Sequence, residues 1–295
     1  MSASSPAPVT VPMVRGRKIR PGEPGTAVPL VMVTAYDAPT ARIADEAGVD
    51  IILVGDSVAM VVLGYDDTLQ VTVDDMVHHT AAVARTGPRA LVVADLPWLS
   101  YHVSTEDTVR NAGRLVRAGA QAVKLEGGAK RLAAVGALID AEIPVMGHLG
   151  LTPQSLHATG GYKVQGTDAG AATTLVEDAQ ALAAAGCFAL VLEGVPSPVA
   201  RLVTERVGVP TIGIGAGPWC DGQVLVFHDA VGLEDRVLPR FVRRYAALKA
   251  DGVAALQAYA ADVRAGRFPT EAESYQLSDA ARAALGLLGG ASKTA

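Results

Sequence analysis

Lys124 and Glu126 stand two residues apart at the end of the apolar run Ala120–Leu125, just before Gly127-Gly128. In a strand, positions i and i+2 share a face, so the ammonium and the carboxylate project together. Such a pair on an apolar strand is costly unless it is matched or binds something. Taken alone, it reads equally well as a structural salt bridge. The same pattern recurs along the chain. Ile51–Val54 leads to Asp56 and Ser57, Val92–Ala94 to Asp95, Ile143–Gly147 to His148, and Phe188–Leu192 to Glu193. Each aliphatic run ends on the carboxyl side with an ionisable group. His148 alone would read as a satisfied core histidine; together these endings predict one shared rim.

Asp56, Asp95 and Glu126 are hard oxygen donors, and the chain holds no cysteine–histidine cluster suited to a softer metal. Three acids in a small space repel one another unless a cation compensates. Mg2+ fits that demand because it keeps part of its hydration. Such an ion could chelate a 2-oxo acid and stabilise its enolate. A separate base must take the α-proton. Glu193 is the first choice, since it comes from another strand and lies beside apolar residues that would raise its pKa. Lys124 and His148 would hold the substrate's carboxylate or enolate oxygen.

These residues need strands that end on one face. The chain of 295 residues is 50% hydrophobic and only 4% aromatic, which predicts an aliphatic core of buried parallel strands. Strands are expected at 30–35, 50–54, 90–94, 120–125, 144–147, 188–192, 210–214 and 224–227. Helices are expected between them, from Asp37, Thr72, Ser104, Lys130, Asp168 and Pro196. Eight alternations predict a closed (β/α)8 TIM barrel. The alternative is an open doubly wound sheet, but Gly213–Gly217 falls at the seventh strand rather than the first, where a dinucleotide-binding turn belongs. Residues 149–166 read as a long irregular connection that closes over a ligand.

Residues 1–28 read as a mobile arm with a short helix at Val11–Ile19. Residues 29–275 read as one barrel domain with C-terminal helices, at 239–249 and 252–265, then an extended stretch over 268–275. Residues 276–295 read as a tail. The net charge of −5 and the lack of a basic run argue against nucleic-acid binding. No apolar stretch reaches membrane-span length, Met1–Thr10 has no apolar signal core, and Cys187 and Cys220 lack metal spacing. A cytoplasmic enzyme is expected.

The motifs together resemble the ketopantoate hydroxymethyltransferase family. They are Thr34-Ala35-Tyr36-Asp37, Val54-Gly55-Asp56-Ser57, Ala94-Asp95-Leu96-Pro97, Val123–Gly128, Gly147–Ser155, Gly160–Gly166, Leu192-Glu193 with Val195-Pro196, and Ile212–Gly217 with Asp221-Gly222-Gln223. The resemblance spans about Arg17 to Tyr275. It implies a barrel of the phosphoenolpyruvate-binding superfamily type, assembled as a homodecamer. It implies transfer of a one-carbon unit from 5,10-methylenetetrahydrofolate to 3-methyl-2-oxobutanoate, giving 2-dehydropantoate for pantothenate synthesis. By the same resemblance, Asp56, Asp95 and Glu126 bind Mg2+. Ser57, Asp56, Asp95, Lys124 and His148 contact the substrate, and Glu193 is the base. The chain departs from the family pattern at His157, in the short segment Gln165–Asp168, and at Trp219. Rival readings are a Mg2+-dependent carbon–carbon lyase acting on another 2-oxo acid, a Schiff-base aldolase using Lys124, and a non-catalytic barrel.

Overall fold

A computed structural model describes residues 7–19, 28–234, 236 and 238–287. By contacts the chain divides into residues 1–246 and 247–295; the boundary expected at residue 275 falls inside the second unit.

In the first unit, eight parallel strands close into a barrel in sequence order. They are β1 (Leu30–Thr34), β2 (Ile51–Val54), β3 (Leu91–Asp95), β4 (Ala122–Glu126), β5 (Val145–Gly150), β6 (Ala189–Glu193), β7 (Thr211–Ile214) and β8 (Gly222–Leu225). The expected barrel is therefore present, and the open sheet is excluded. The helices of this unit are α1 (Val11–Arg15), α2 (Ala38–Glu46), α3 (Val58–Val61), α4 (Val73–Ala84), α5 (Thr105–Arg117), α6 (Leu132–Asp140), α7 (Leu156–Thr159), α8 (Ala169–Ala184), α9 (Ser197–Arg206) and α10 (Phe227–Val231). Caps start them where the side chains require. Asp37 and Thr40 form a reciprocal capping box on α2, Thr72 and Asp75 do so on α4, and Asp168 caps α8.

Strand parity divides the core in two. One set of side chains packs between the barrel wall and the helices, including Ile52, Val92, Val123, Val145 and Leu190. The alternate set fills the interior, including Ile51, Leu53, Leu91, Val93, Ala122, Met146, Ala189 and Val191. Continuing the interior parity along each strand gives Asp95, Lys124, Glu126, His148 and Glu193. The register aligns them, with Asp95 opposite Lys124, Glu126 opposite His148, and Gly150 opposite Glu193.

Several expectations are corrected. Residues 7–19 are not a mobile arm: Val9 and Val14 are buried in the interior cluster, and α1 ends at Arg15 rather than Ile19. The rest of the expected arm, residues 1–6 and 20–27, lies outside the described residues. The eighth strand begins at Gly222 instead of Val224, and Phe227 starts α10. A Cβ at Gly222 would sit 2.6 Å from Leu30 Cβ and O, so the seam that closes the barrel needs glycine there. Residues 149–166 contain a 3-10 turn at Pro153–Ser155 and α7.

The second unit holds α11 (Leu248–Arg264), a 3-10 turn at Glu271–Glu273 and α12 (Asp279–Ala284). The helix expected at 239–249 is absent, and α11 runs through Gly252 without a break. A substituent at Gly252 would meet nothing within 4 Å, so this glycine marks an exposed position rather than a turn. The stretch expected to be extended at 268–275 carries the 3-10 turn instead.

Candidate active site

Five of the sequence-predicted residues meet at the carboxyl end of the barrel, in two linked groups. Lys124 Nζ lies 2.9 Å from Asp95 Oδ1 on the neighbouring strand. His148 stands between two carboxylates: its Nδ1 is 3.4 Å from Glu126 Oε1, and its Nε2 is 3.3 Å from Glu193 Oε2. The groups join where Lys124 Nζ comes within 3.2 Å of His148 Nδ1. Asp95, Lys124, Glu126 and His148 are buried, whereas the Glu193 side chain keeps 19% of its exposure and so faces the opening.

Asp56 follows β2, and its backbone N–H donates to Asp95 Oδ2 at 3.0 Å. Gly55 allows this approach, because a Cβ there would stand 2.8 Å from Ser57 Oγ and 3.5 Å from Asp95 Oδ2. Ser57 reaches the Tyr36 hydroxyl at 2.9 Å.

The charges are strongly perturbed. Burial, with Asp95 and Glu126 nearby, pushes the Asp56 carboxyl well above the usual carboxylate range. Burial would lower Lys124, but Asp95, Glu126 and Asp56 outweigh it and hold the amine protonated. Burial and Lys124 favour a neutral His148 ring. Glu126 and Glu193 overcome both, and the imidazole is pushed up to about 9.

Among the described residues, no three His, Cys, Asp or Glu side chains are grouped closely enough to form a complete cage for a metal ion. Two buried carboxylate oxygens nevertheless meet only cationic groups: Asp95 Oδ1 faces the Lys124 ammonium at 2.9 Å, and Glu126 Oε1 faces the His148 ring at 3.4 Å. A hard cation held by one or two carboxylates, with substrate and water completing its shell, fits such oxygens.

Sequence reasoning missed Gln154 and Tyr101 as parts of the site. Gln154 donates from Nε2 to Asp56 Oδ2 at 2.8 Å and from its backbone to Glu126 Oε2 at 3.0 Å. Tyr101 donates to Gln154 Oε1 at 2.5 Å. The signal for Gln154 was its place in the Gly147–Ser155 motif; Tyr101 carried none. Trp219, one of the departures from the family pattern, is about half exposed and lies under the Arg201 guanidinium, 4.8 Å from its ring centre.

A closed β/α barrel with buried, interacting acid, base and ammonium groups at its carboxyl end defines an enzyme of the barrel class. The sequence model of the family described as "Ketopantoate hydroxymethyltransferase" matches residues 23–271, and the chain belongs to that family. It is 58% identical over 260 residues to the 3-methyl-2-oxobutanoate hydroxymethyltransferase of Methylobacterium sp. (strain 4-46), covering 87% of this chain and 89% of the relative. It is 56% identical over 288 residues to 3-methyl-2-oxobutanoate hydroxymethyltransferase 2 of Bradyrhizobium diazoefficiens, covering 97% and 96%. Among solved structures, the fold is similar to phosphoenolpyruvate phosphomutase from Streptomyces platensis subsp. rosaceus. That match has a TM-score of 0.57 and 18% identity, and covers 94% of this chain and 96% of that one. It is also similar to 2,3-dimethylmalate lyase, described as a PEP mutase/isocitrate lyase superfamily member (TM-score 0.50, 19% identity, covering 85% and 87%).

Proposed function

We propose that this enzyme adds the one-carbon unit of 5,10-methylenetetrahydrofolate to 3-methyl-2-oxobutanoate, giving 2-dehydropantoate in pantothenate synthesis. The observation that carries the reading of the site is the buried Glu126–His148–Glu193 line set against the Asp95–Lys124 pair. Asp56, Asp95 and Glu126 are the acids that would hold Mg2+, one or two of them directly and the rest through water, in keeping with the buried Asp95 Oδ1 and Glu126 Oε1, which meet only cationic groups. Bound there, the ion would supply Lewis acidity to the 2-oxo group and so acidify the adjacent C–H.

The chain's own residues do the rest. Lys124, kept charged by its acidic neighbours, holds the substrate carboxylate. Ser57 and Asp95 line the same end of the barrel. Glu193, the most open of the acids, takes the proton from C3 of the substrate. His148, 3.3 Å from Glu193 Oε2, orients that carboxylate and offers positive charge near the developing enolate oxygen. Water opens the methylene bridge of the folate, so that N5 and N10 each leave with a proton as tetrahydrofolate and the carbon is released at the formaldehyde level; C3 of the enolate attacks that carbon, and its oxygen takes the proton that makes the product hydroxyl. A lysine so firmly protonated is a poor Schiff-base nucleophile, which counts against the aldolase reading. We place the enzyme in the cytoplasm as a homodecamer. No described helix is long and apolar enough to cross a membrane, and both cysteines are free and buried.

The test is solvent deuterium exchange into 3-methyl-2-oxobutanoate without folate, followed by NMR. Exchange should require Mg2+ and should fall at least a hundredfold in Glu193→Gln, with substrate affinity kept. Undiminished exchange in that variant would remove Glu193 as the base.

A further inference from the structure

We infer that Gln154 is a positioning residue that fixes Asp56 and Glu126 relative to each other, and that Tyr101 sets the direction of its amide. The inference rests on the reading above, in which these acids bind a divalent cation.

Gln154 sits in the 3-10 turn Pro153–Ser155, between β5 and α8, and is 6% exposed. From there it reaches across the barrel mouth. Its Nε2 donates to Asp56 Oδ2 at 2.8 Å and to Leu96 O at 3.0 Å. Its backbone N–H donates to Glu126 Oε2 at 3.0 Å. Asp56 follows β2 and Glu126 ends β4, so the two acids belong to strands separated by β3. Among the described hydrogen bonds, Gln154 alone touches both carboxylates.

The amide has one workable orientation. Nε2 faces a carboxylate and a carbonyl, and the carbonyl can only accept. Oε1 faces the Tyr101 hydroxyl at 2.5 Å. Turning the amide over would set oxygen against oxygen at Asp56 and Leu96, and would leave buried groups unpaired. Tyr101 enforces this choice. Its oxygen accepts from the Glu126 backbone N–H at 3.2 Å, and its proton goes to Gln154 Oε1 at 2.5 Å in preference to Glu126 O, which lies farther off at 3.4 Å. Donation therefore runs in one direction, from Glu126 N–H through Tyr101 and Gln154 to Asp56. Glu126 is held at both ends of this circuit, by its backbone and by its side chain. Such outer partners commonly govern how well first-contact carboxylates bind a metal.

The experiment titrates Mg2+ calorimetrically into the full-length protein without substrate, beside denaturant unfolding of the same samples. Gln154→Met keeps the bulk and the backbone donor but loses the amide. It should weaken Mg2+ binding about tenfold to a hundredfold. Gln154→Asn is one methylene shorter and should weaken binding too; it serves if the methionine variant does not fold. Tyr101→Phe should weaken binding less. Gln154→Met combined with Tyr101→Phe should be no worse than Gln154→Met alone, because the two act in one circuit. Unchanged Mg2+ affinity in a folded Gln154 variant, or additive losses in the double variant, overturns the inference while leaving the metal reading intact. A wild-type protein that takes up no Mg2+ overturns the metal reading, and this inference with it.

Discussion

Lys124 and Asp95 form a pair in which neither member is comfortable alone. Both are nearly inaccessible, and their 2.9 Å contact replaces the water each has lost. Removing one partner strands a charge in a medium that solvates it poorly. Lys124→Met should therefore destabilise the fold by about 3–5 kcal/mol in urea unfolding. Adding Asp95→Asn should restore part of that loss, although neither variant should turn over. A second residue-scale prediction concerns His102. Burial, aided by Arg131, pulls its imidazole down to about 4 from the ordinary 6.5, and its Nδ1 has no partner. The folded state thus favours the neutral ring. Its contribution to stability is intact above pH 6.5 and disappears as pH falls toward 4. His102→Gln should flatten the decline of melting temperature across that window. An unchanged acid limb would mean that other groups set it.

At the scale of elements, the strand-end acids were legible because the code is short: apolar run, ionisable group, glycine or proline. Parity then dictated which side chains point inward. What escaped the sequence depended on contacts distant along the chain. Gln154 meets Asp56 and Glu126 across 98 and 28 residues, and a loop glutamine advertises neither partner. The start of β8 was hidden because Gly222 resembles a turn residue, yet it is the close approach to Leu30 that requires it. Gly150 carries the same lesson into a prediction. It ends β5 at φ +94°, and a Cβ there would lie 2.2 Å from Glu193 O. That carbonyl also accepts from Leu151 N at 2.7 Å. Gly150→Ala must push the end of β6 aside and carry the base with it. We expect kcat to fall more than tenfold, since small misplacements of a reacting group are that costly. Wild-type kcat would mean that Glu193 tolerates the shift.

At the scale of the whole barrel, the two ends have separate tasks. The carboxyl end gathers the charges, and the opposite end is closed by residues 7–19, where composition alone suggested mobility. Asp221 is the anchor of that closure. It is 1% exposed and accepts from Lys18 Nζ at 2.9 Å, Ile19 N at 2.8 Å and Thr211 N at 2.7 Å. Lys18 Nζ also donates to Thr204 O at 2.5 Å, so one ammonium joins the N-terminal segment to α9 and to the residue just before β8. This segment lays Val9 and Val14 over the interior cluster, beneath the layer that carries the active-site charges. Lys18→Met would leave the buried Asp221 carboxylate without its counter-charge and should destabilise by about 3 kcal/mol, seen as a lower urea midpoint. Because the top of the barrel is built from strand ends and their loops, KM for 3-methyl-2-oxobutanoate and kcat at 25 °C should stay within about twofold of wild type, as expected for well-separated sites. A large loss of activity at unchanged stability would show that the plug and the active site are coupled through the barrel interior, against the separation of the two ends drawn here.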